Sequence, residues 1–569
     1  MKLFISILKP ILSFLLSYLS FSKSVLSQSL PQPIYPEPRP LEEPKLLPPP
    51  EELLEPLFPP QTPEELRLEI PGTIIVTEFN FIGSTVFTIA QLQALIQDYI
   101  NRPISFTELL ETQQIITQFY QNKGYITSGA ILPPQTLEGG IVTIEIIEGE
   151  VEEIQISGLK RLQTGYIRSR IERGIKAPFN QNQLLETLQL LQLNPLIQRL
   201  SAELSAGSRI GQSQLSIQLE EADAMAVELT IDNQRSPSVG SIRRGAQLTH
   251  NNLTGWGDRL NISYYNTAGS DVLDDFSYTL PINSNNGTIS WTHRRTESHI
   301  IEEPFNQLDI DSNSQTYQIS YRQPLYLTPN TEFAIGLTAG IQDTATELEN
   351  EPFPLSLGAD DRGKIRTSVI RFFQDYSTRS AKDTLAMRSQ FSLGTGLFNA
   401  TVNHNNLPDS RFISWRGQVQ YLRSLAPNLI WLLRSDIQLA NQSLLAQEQF
   451  SLGGASTIRG YRQDALLGDN GMLISTELRI PVLTISDWDM IVQLIPFLDW
   501  GTVWNQEKIE EMSLDYNTLF STGLGLRLQI KENFTAQMDW GIPLIDIKTQ
   551  GQSLQENGIH FLVQFNINF

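Results

Sequence analysis

The residues best suited to specific chemistry are one arginine and one aspartate in different parts of the chain. Arg459 stands between a β-branched run and a glycine in a loop-like segment, and Asp499 lies in a later, strand-like segment. A guanidinium can form two parallel hydrogen bonds with a carboxylate, so the two side chains could lock a loop onto a strand. Asp464 and Asp469 of the same loop, or solvent, are the alternative partners for Arg459.

Glycines and an aromatic residue surround the arginine. The candidate loop motif comprises Gly453, Gly454, Ile458, Arg459, Gly460 and Tyr461. The candidate wall motif comprises Phe497, Asp499 and Gly501. Glycine adopts backbone conformations closed to other residues and lets a loop lie against a wall. Alternate residues of a strand face opposite sides, so Asp499 would face a lumen if Leu498 and Trp500 face lipid.

Residues 358–364 have the spacing of a phosphate-binding loop. In such a loop a Ser or Thr follows the lysine and binds magnesium, but Ile365 stands at that position. The carboxylates of Asp360 and Asp361 would also repel phosphate. We interpret the segment as an acidic extracellular loop that matches the pattern by chance.

Histidine and cysteine give no sign of an enzyme. The five histidines include no metalloprotease pair on one helical face, and the chain has no cysteine for disulfides or zinc-thiolate sites. Nothing assembles a nucleophile, a base and an orienting group. We therefore expect no enzymatic activity, no catalytic residue, no metal and no cofactor.

Length and charge narrow the class of protein. A chain of 569 residues is too long for one ordinary core, so several domains are expected. Its net charge of -21 argues against nucleic acid as a partner, because a phosphate backbone requires a basic surface. No later run of about eighteen apolar residues follows the N-terminal segment, so no transmembrane helix is expected there.

The N-terminus has the features of a secretory signal peptide. Lys2 and Lys9 precede the apolar residues 11–21, which are fewer than the ~20 residues that a membrane anchor, the alternative, would require. We assign residues 1–27 to the signal peptide. Residues 28–71 are rich in proline and glutamate and are predicted to form a semi-rigid polyproline linker.

A weak internal repeat follows, with the element order β-α-α-β occurring twice. It predicts two small α/β domains, residues 72–149 and 150–223. In the second, the helical spacing of Leu184, Leu188 and Leu191 indicates a core face. We expect an exposed strand edge, within residues 213–219, to pair with an extended client.

The pattern of apolar and polar residues changes at residue 224, and the new pattern continues to the end of the sequence. Short strands with apolar residues on one face and polar residues on the other alternate with turn residues, as in a transmembrane β-barrel. A soluble sandwich is the alternative, but length, signal peptide and the terminal Phe569 favour the membrane. Residues 224–569 allow roughly sixteen strands at about twenty residues per strand and turn. The fold class is therefore mainly β, with an antiparallel barrel after two α/β domains.

From about residue 72 onward the chain resembles the outer-membrane transporters of two-partner secretion, the hemolysin- and hemagglutinin-exporting type of the POTRA-plus-barrel superfamily. In that family an Arg-Gly-Tyr motif on an infolded extracellular loop meets the aspartate of a Phe-x-Asp-x-Gly motif on the barrel wall. Residues 459–461 and 497–501 match these motifs, and residues 251–258 resemble the family's early barrel turn. Pro56 interrupts the one candidate for the family's plug helix, residues 51–58.

The resemblance implies a bacterial outer-membrane location with the POTRA domains in the periplasm, and export of a large, unfolded exoprotein without nucleotide hydrolysis. Outer-membrane lipid and the barrel-assembly machinery, which would read Phe569 as a C-terminal signal, are the other implied partners. A membrane-protein insertase of the same superfamily is the main alternative. A passive porin or a barrel enzyme is a weaker one, because two tandem α/β domains precede the barrel.

Overall fold

The computed structural model describes residues 73–136, 139–404, 407–506, 516–547 and 553–569. The predicted signal peptide (1–27), the linker (28–71) and the segment considered for a plug helix (51–58) lie outside the described residues. Within the described ranges, no helix is long and apolar enough to cross a membrane.

The first module packs two helices against a three-stranded sheet. Its elements are β1 (Thr73–Ile75), β2 (Glu78–Ile82), α1 (Ile89–Leu95), β3 (Pro103–Ser105), α2 (Phe106–Asn122), β4 (Gly129–Ile131) and β5 (Ile141–Ile147). The sheet has the order β2-β5-β4, and β1 pairs separately with β3. Ser105 and Glu108 form a capping box that starts α2. The short strands β3 and β4 were missed by the sequence analysis.

The second module repeats this plan. Its elements are β6 (Glu150–Ser157), α3 (Thr164–Ile171), α4 (Gln181–Gln192), β7 (Ile197–Ala206) and β8 (Gln212–Glu221). Leu184, Leu188 and Leu191 are buried in its core, as predicted. The prediction of an exposed edge at residues 213–219 is wrong, because β8 is the central strand of the order β6-β8-β7. The missed strand β7 covers that side of β8, so the free edges belong to β6 and β7.

The two modules share details that their sequences barely show. Gly83 and Gly158 both follow the first sheet strand with positive φ, 87° and 86°, and a Cβ on either would collide with a backbone carbonyl. Glu148 accepts the backbone N–H of Thr85, and Glu221 accepts the N–H of Lys160 in the corresponding loop, both at 2.7 Å. The two modules therefore repeat the same structure, and in each of them a carboxylate holds the loop after the first sheet strand.

A closed antiparallel barrel forms the rest of the described chain. Its sixteen wall strands are β9 (Met225–Asp232), β10 (Arg243–Asn251), β11 (Arg259–Asn266), β12 (Ser270–Pro281), β13 (Thr288–His299), β14 (Ile310–Leu327), β15 (Thr331–Leu348), β17 (Lys364–Arg379), β18 (Asp383–Thr395), β19 (Ile413–Ala426), β20 (Leu429–Ala440), β23 (Asn470–Ile485), β24 (Met490–Trp504), β25 (Thr518–Ile530), β26 (Phe534–Pro543) and β27 (Ile559–Asn568). The short strand β16 (Glu351–Pro352) pairs antiparallel with the end of β15 and is not counted among the wall strands. Pairing of β27 with β9 closes the barrel and confirms the predicted fold class.

Phe569 follows the last strand at this seam. Its backbone N–H donates to the carbonyl of Met225 at 2.8 Å, and the N–H of Met225 donates back at 3.2 Å. The ring of Phe569 is exposed. The last residue therefore joins the first barrel strand through its backbone while presenting its aromatic side chain outward.

The β10–β11 turn, which sequence analysis singled out, contacts the second module. The carbonyl of Gly255 accepts the N–H of Gln163 at 2.9 Å, and the backbone of Gly257 lies against the ring of Tyr166. This contact fixes which end of the barrel faces the modules. The β20–β23 connection, residues 441–469, lies at the opposite end.

Candidate functional site

The 441–469 loop folds back into the barrel. It contains a small hairpin of β21 (Phe450–Leu452) and β22 (Leu466–Gly468), whose apolar side chains pack against inward-facing residues of the wall. Ile458 and Tyr461, between the two strands, are buried in the same cluster. Residues 453–461 therefore lie at the inner tip of the loop, among the wall strands β23 to β27.

Arg459 and Asp499 meet inside the barrel. The Nε and Nη2 atoms of Arg459 donate to the two carboxylate oxygens of Asp499 at 2.8 and 2.9 Å. The backbone N–H of Arg459 donates to the same carboxylate at 3.1 Å. Arg459 is 2% exposed and Asp499 is fully buried. A charge-assisted bidentate pair of this kind fixes both position and orientation of the loop tip.

A second carboxylate completes the site. Glu477 of β23 accepts from Nη1 of Arg459 at 2.7 Å and from Nε of Arg479 at 3.0 Å. The hydroxyl of Ser475 donates to Asp499 at 2.7 Å. Removing three charges from water is costly, and this network offsets the cost because the guanidinium and both carboxylates find charged partners.

The two remaining residues of the wall motif support the pair. The guanidinium of Arg459 lies 3.7 Å from the ring centroid of Phe497, within the range of a cation–π contact. A Cβ on Gly501 would come within 2.8 Å of the Leu452 side chain of the hairpin. As the strand parity predicted, Phe497 and Asp499 face inward while Leu498 faces outward.

Gly460 and Tyr461 bind the loop tip to the end of the wall. Gly460 has a φ of 94°, and a Cβ there would lie 3.0 Å from the carbonyl carbon of Gly541 in β26. The hydroxyl oxygen of Tyr461 lies 2.9 and 2.8 Å from the backbone carbonyl oxygens of Phe520 and Ile545, one of which accepts its single proton, and it accepts the N–H of Ile545 at 3.2 Å. Gly453 and Gly454 also have positive φ values and form the turn that leads to the tip.

The loop also contacts the wall far from Asp499. Both carboxylate oxygens of Glu448 accept from Nη2 of Arg371 in β17, at 2.7 and 2.9 Å. On another side, Arg462 donates to the two oxygens of Glu302 in the β13–β14 loop at 2.9 and 2.8 Å. The N–H of Gly460 also donates to Nε2 of His560 in β27 at 3.4 Å. Because β17 and β27 lie half a turn apart in the strand order, contacts to both mean that the loop crosses the lumen.

Sequence reasoning identified Arg459 and Asp499 but missed several partners. Glu477 was available to it, since the alternation in β23 puts Glu477 on the polar face with Ser475. The pairs Arg371–Glu448 and Arg462–Glu302 have no sequence signal, because each joins segments whose distance depends on barrel closure. Asp464 and Asp469, the alternatives considered for Arg459, bind Ser451 and backbone groups of the loop instead.

The site has the chemistry of a latch. It consists of charged pairs and aromatic contacts that attach the loop tip to the barrel wall. The acidic segment at residues 358–364 forms a turn in which Asp360 accepts the N–H groups of Arg362 and Lys364 at 3.0 and 2.8 Å. Its carboxylate faces the backbone amides that a phosphate loop would offer its ligand.

Comparison with known proteins gives the same picture. The model of the haemolysin secretion/activation protein ShlB/FhaC/HecB family matches residues 211–528, and that of the ShlB-type POTRA domain matches residues 74–149. The heme/hemopexin transporter protein HuxB of Haemophilus influenzae (strain 86-028NP) is 24% identical over 476 residues, 80% of each chain. The outer membrane transporter CdiB of Escherichia coli is 24% identical over 482 residues, 81% of this chain and 78% of the relative.

Solved structures show the same fold. CdiB from Escherichia coli superposes with a TM-score of 0.67 at 20% identity, covering 91% of this chain and 95% of that chain. BamA from Haemophilus ducreyi lacking POTRA domains 1–3 gives a TM-score of 0.52 at 16% identity, covering 87% and 100%. With more than half of its length matched by one family model, the chain belongs to the haemolysin secretion/activation protein ShlB/FhaC/HecB family and is an outer-membrane transporter, not an enzyme.

Proposed function

We propose that the barrel exports one large, unfolded exoprotein, which the periplasmic modules receive and which folds at the cell surface. The single observation that carries this proposal is the 441–469 loop, which crosses the lumen and is held by ion pairs on several sides. A passive porin has no need of such a loop, whereas an exporter must close its pore between clients. Membership of a secretion family favours export over membrane-protein insertion.

In this proposal the ion pairs that hold the loop differ in strength. The Arg459–Asp499–Glu477 cluster is buried and holds the loop tip. The pairs Arg371–Glu448 and Arg462–Glu302 are partly accessible to solvent and hold the base of the tip. We propose that a client entering from the periplasm displaces the loop, and that the weaker pairs break before the buried one.

The modules offer a client free strand edges. Only one edge of β6 and one edge of β7 are paired within the described second module, and both are to β8. An extended polypeptide can add to such an edge through main-chain hydrogen bonds without being read residue by residue. No nucleotide is required, because folding of the client outside the cell can draw the client polypeptide through the pore.

We propose the following division of the chain: signal peptide 1–27, proline-rich linker 28–71, POTRA domains 72–149 and 150–223, and barrel 224–569. The gating loop would comprise Gly453, Gly454, Ile458, Arg459, Gly460 and Tyr461, and the wall motif Phe497, Asp499 and Gly501. Outer-membrane lipid surrounds the barrel in this proposal, and the barrel-assembly machinery reads Phe569.

A secretion assay tests the proposal. The proposal expects the neighbouring gene to encode a large secreted protein. The chain is expressed with that candidate partner, which is measured in the medium and on the cell surface. A matched control carries Arg362→Gln, in an exposed extracellular loop. We expect secretion with the native chain and the control, and periplasmic retention without the chain. If cells without the chain secreted the partner normally but failed to assemble other outer-membrane barrels, the chain would be an insertase.

A further inference from the structure

A basic cleft lies between the second module and the barrel, away from the gating loop. It has a volume of about 230 Å³ and is bounded by the end of α3, by α4 and by the periplasmic turns after β12 and β14. Its charged lining residues are Arg170, Arg173, Lys176 and Glu186. Three cations thus face one carboxylate, in a protein whose net charge is -21.

The two arginines have only neutral hydrogen-bond acceptors. Arg170, which is 7% exposed, donates to the carbonyl of Tyr166 at 3.0 Å and to Oδ1 of Asn286 at 3.2 Å. Arg173 donates to the carbonyl of Ser284 at 3.0 Å. Among the described residues, no salt bridge joins either guanidinium to an acid. The positive charge of the cleft is therefore not neutralised by the protein.

The burial of Arg170 also indicates that the protein leaves the positive charge of the cleft without compensation. It lowers the pKa of Arg170, and the neighbouring charge of Arg173 lowers that pKa further. Lys176 is exposed at the rim and has no hydrogen bond or ion pair to another described residue. An anion that entered the cleft would thus offset an existing repulsion and meet a free ammonium group.

The cleft opens beside the lipid-facing surface of the barrel. Leu327 lines it, and the adjacent Leu325 and Tyr326 are 60% and 56% exposed at the end of β14. Ile282, just after β12 and two strands away from β14, is also exposed. Large apolar side chains and a tyrosine at a barrel rim mark the boundary between hydrocarbon and headgroups. The basic cleft therefore lies at headgroup level of the periplasmic leaflet.

We propose that this cleft binds the phosphate of an anionic phospholipid from the periplasmic leaflet, with the acyl chains lying on Leu325, Tyr326 and Ile282. Basic pockets at the membrane surface bind anionic headgroups in this way. The lipid would contact both the second module and two barrel turns. It would thereby stabilise the position of that module beneath the pore.

Lipid binding to the purified full-length chain in detergent tests the proposal. Native mass spectrometry follows titration with dihexanoyl phosphatidylglycerol, dihexanoyl phosphatidylcholine or inorganic phosphate. We expect preferential binding of phosphatidylglycerol. Because each basic residue contributes ~1 kcal/mol to such binding, Arg173→Gln and Lys176→Gln should each weaken it about fivefold, and the double variant about thirtyfold. The exposed Arg199→Gln, on β7 of the same module, is the matched control and should bind normally.

Two results would overturn the proposal. Equal affinity for phosphatidylcholine, or unchanged binding by the double variant, would show that the cations of the cleft do not select the lipid. Inorganic phosphate binding as tightly as phosphatidylglycerol would assign the cleft to a free anion. Heat-modifiable migration in a gel verifies that each variant is folded. Lys176→Glu reverses a charge at an exposed position without partners, and it is an independent test of whether the cations of the cleft select the lipid.

Discussion

Arg371 of β17 and Glu448 of the 441–469 loop form two hydrogen bonds on a different side of the lumen from Asp499. The loop is thus attached at both ends of its path across the pore. This pair is less buried than Arg459 with Asp499, and its side chains are 19% and 11% exposed. It should therefore yield first when the loop moves.

Arg371→Gln should loosen the loop without opening the pore permanently. A partly exposed pair contributes on the order of 1 kcal/mol, so the open fraction should rise measurably, by up to about fivefold. Single-channel recordings of the reconstituted protein measure that fraction. Arg362→Gln, whose side chain is 75% exposed, is the control. An unchanged open fraction in Arg371→Gln would show that this pair does not hold the closed state.

The free edges of the second module predict where a client binds. In an antiparallel pair, alternate residues of β7 donate toward β8 and the others donate outward. Of Ser201→Pro and Ala202→Pro, one therefore removes an outward donor and leaves the β7–β8 ladder intact. We expect that variant to keep amide protection in β8 by hydrogen exchange and to lose secretion. If it secreted normally, the edge of β7 would not be the docking site.

Glu221 predicts a pH dependence of the second module. Its carboxylate accepts three backbone N–H groups, from residues 160, 161 and 162, at 2.7, 2.9 and 2.9 Å. Burial opposes its ionisation, but these bonds and Arg161 hold the pKa of Glu221 below its ordinary value. The stabilisation is therefore complete above an ordinary carboxyl pKa of ~4.3 and is lost as pH falls through the lowered folded value.

Hydrogen exchange of the amides of residues 160–162 in the full chain measures this effect. Glu221→Gln should lower their protection by about 1–3 kcal/mol at neutral pH, because the charged acceptor is lost. The exposed Glu172→Gln should leave protection unchanged. Equal protection in Glu221→Gln at neutral pH would mean that the carboxylate does not hold the loop.

Phe569 has two separable contributions, one through its ring and one through its backbone. Deleting it removes both the aromatic side chain and the two hydrogen bonds to Met225, whereas Phe569→Ala removes only the ring. If assembly machinery reads the ring, both variants should reduce folded protein in the outer membrane, and Phe569→Tyr should restore it. Loss in the deletion alone would assign the effect to barrel closure instead.

The sequence predicts those parts of the fold that have a regular period. The inward direction of Asp499 follows from strand alternation and the core face of α4 from helical spacing. The strand count follows from the length of the barrel region at about twenty residues per strand and turn. β7 was missed because a bulge between Ile197 and Arg199 interrupts its alternation. The client edge was misplaced because strand order within a sheet depends on tertiary packing. Likewise, Arg462 and Glu302 come together only when the barrel closes.

The central claim is that Arg459 and Asp499 form a buried latch that holds the loop in the pore. Losing one partner of a buried pair costs about 2–5 kcal/mol, against under ~1 kcal/mol for an exposed pair. Arg459→Ala leaves two carboxylates without their shared partner, while Asp499→Ala leaves Arg459 with Glu477 alone. We therefore expect Arg459→Ala to have the larger effect on secretion and conductance.

A double-mutant cycle on Arg459→Ala and Asp499→Ala, read out by single-channel conductance and by secretion of the partner protein, tests this claim most directly. The predicted result is that each single variant alters both quantities and that the double variant is no worse than Arg459→Ala alone. Strictly additive effects, or an Arg459→Ala variant with native conductance and secretion, would contradict the latch.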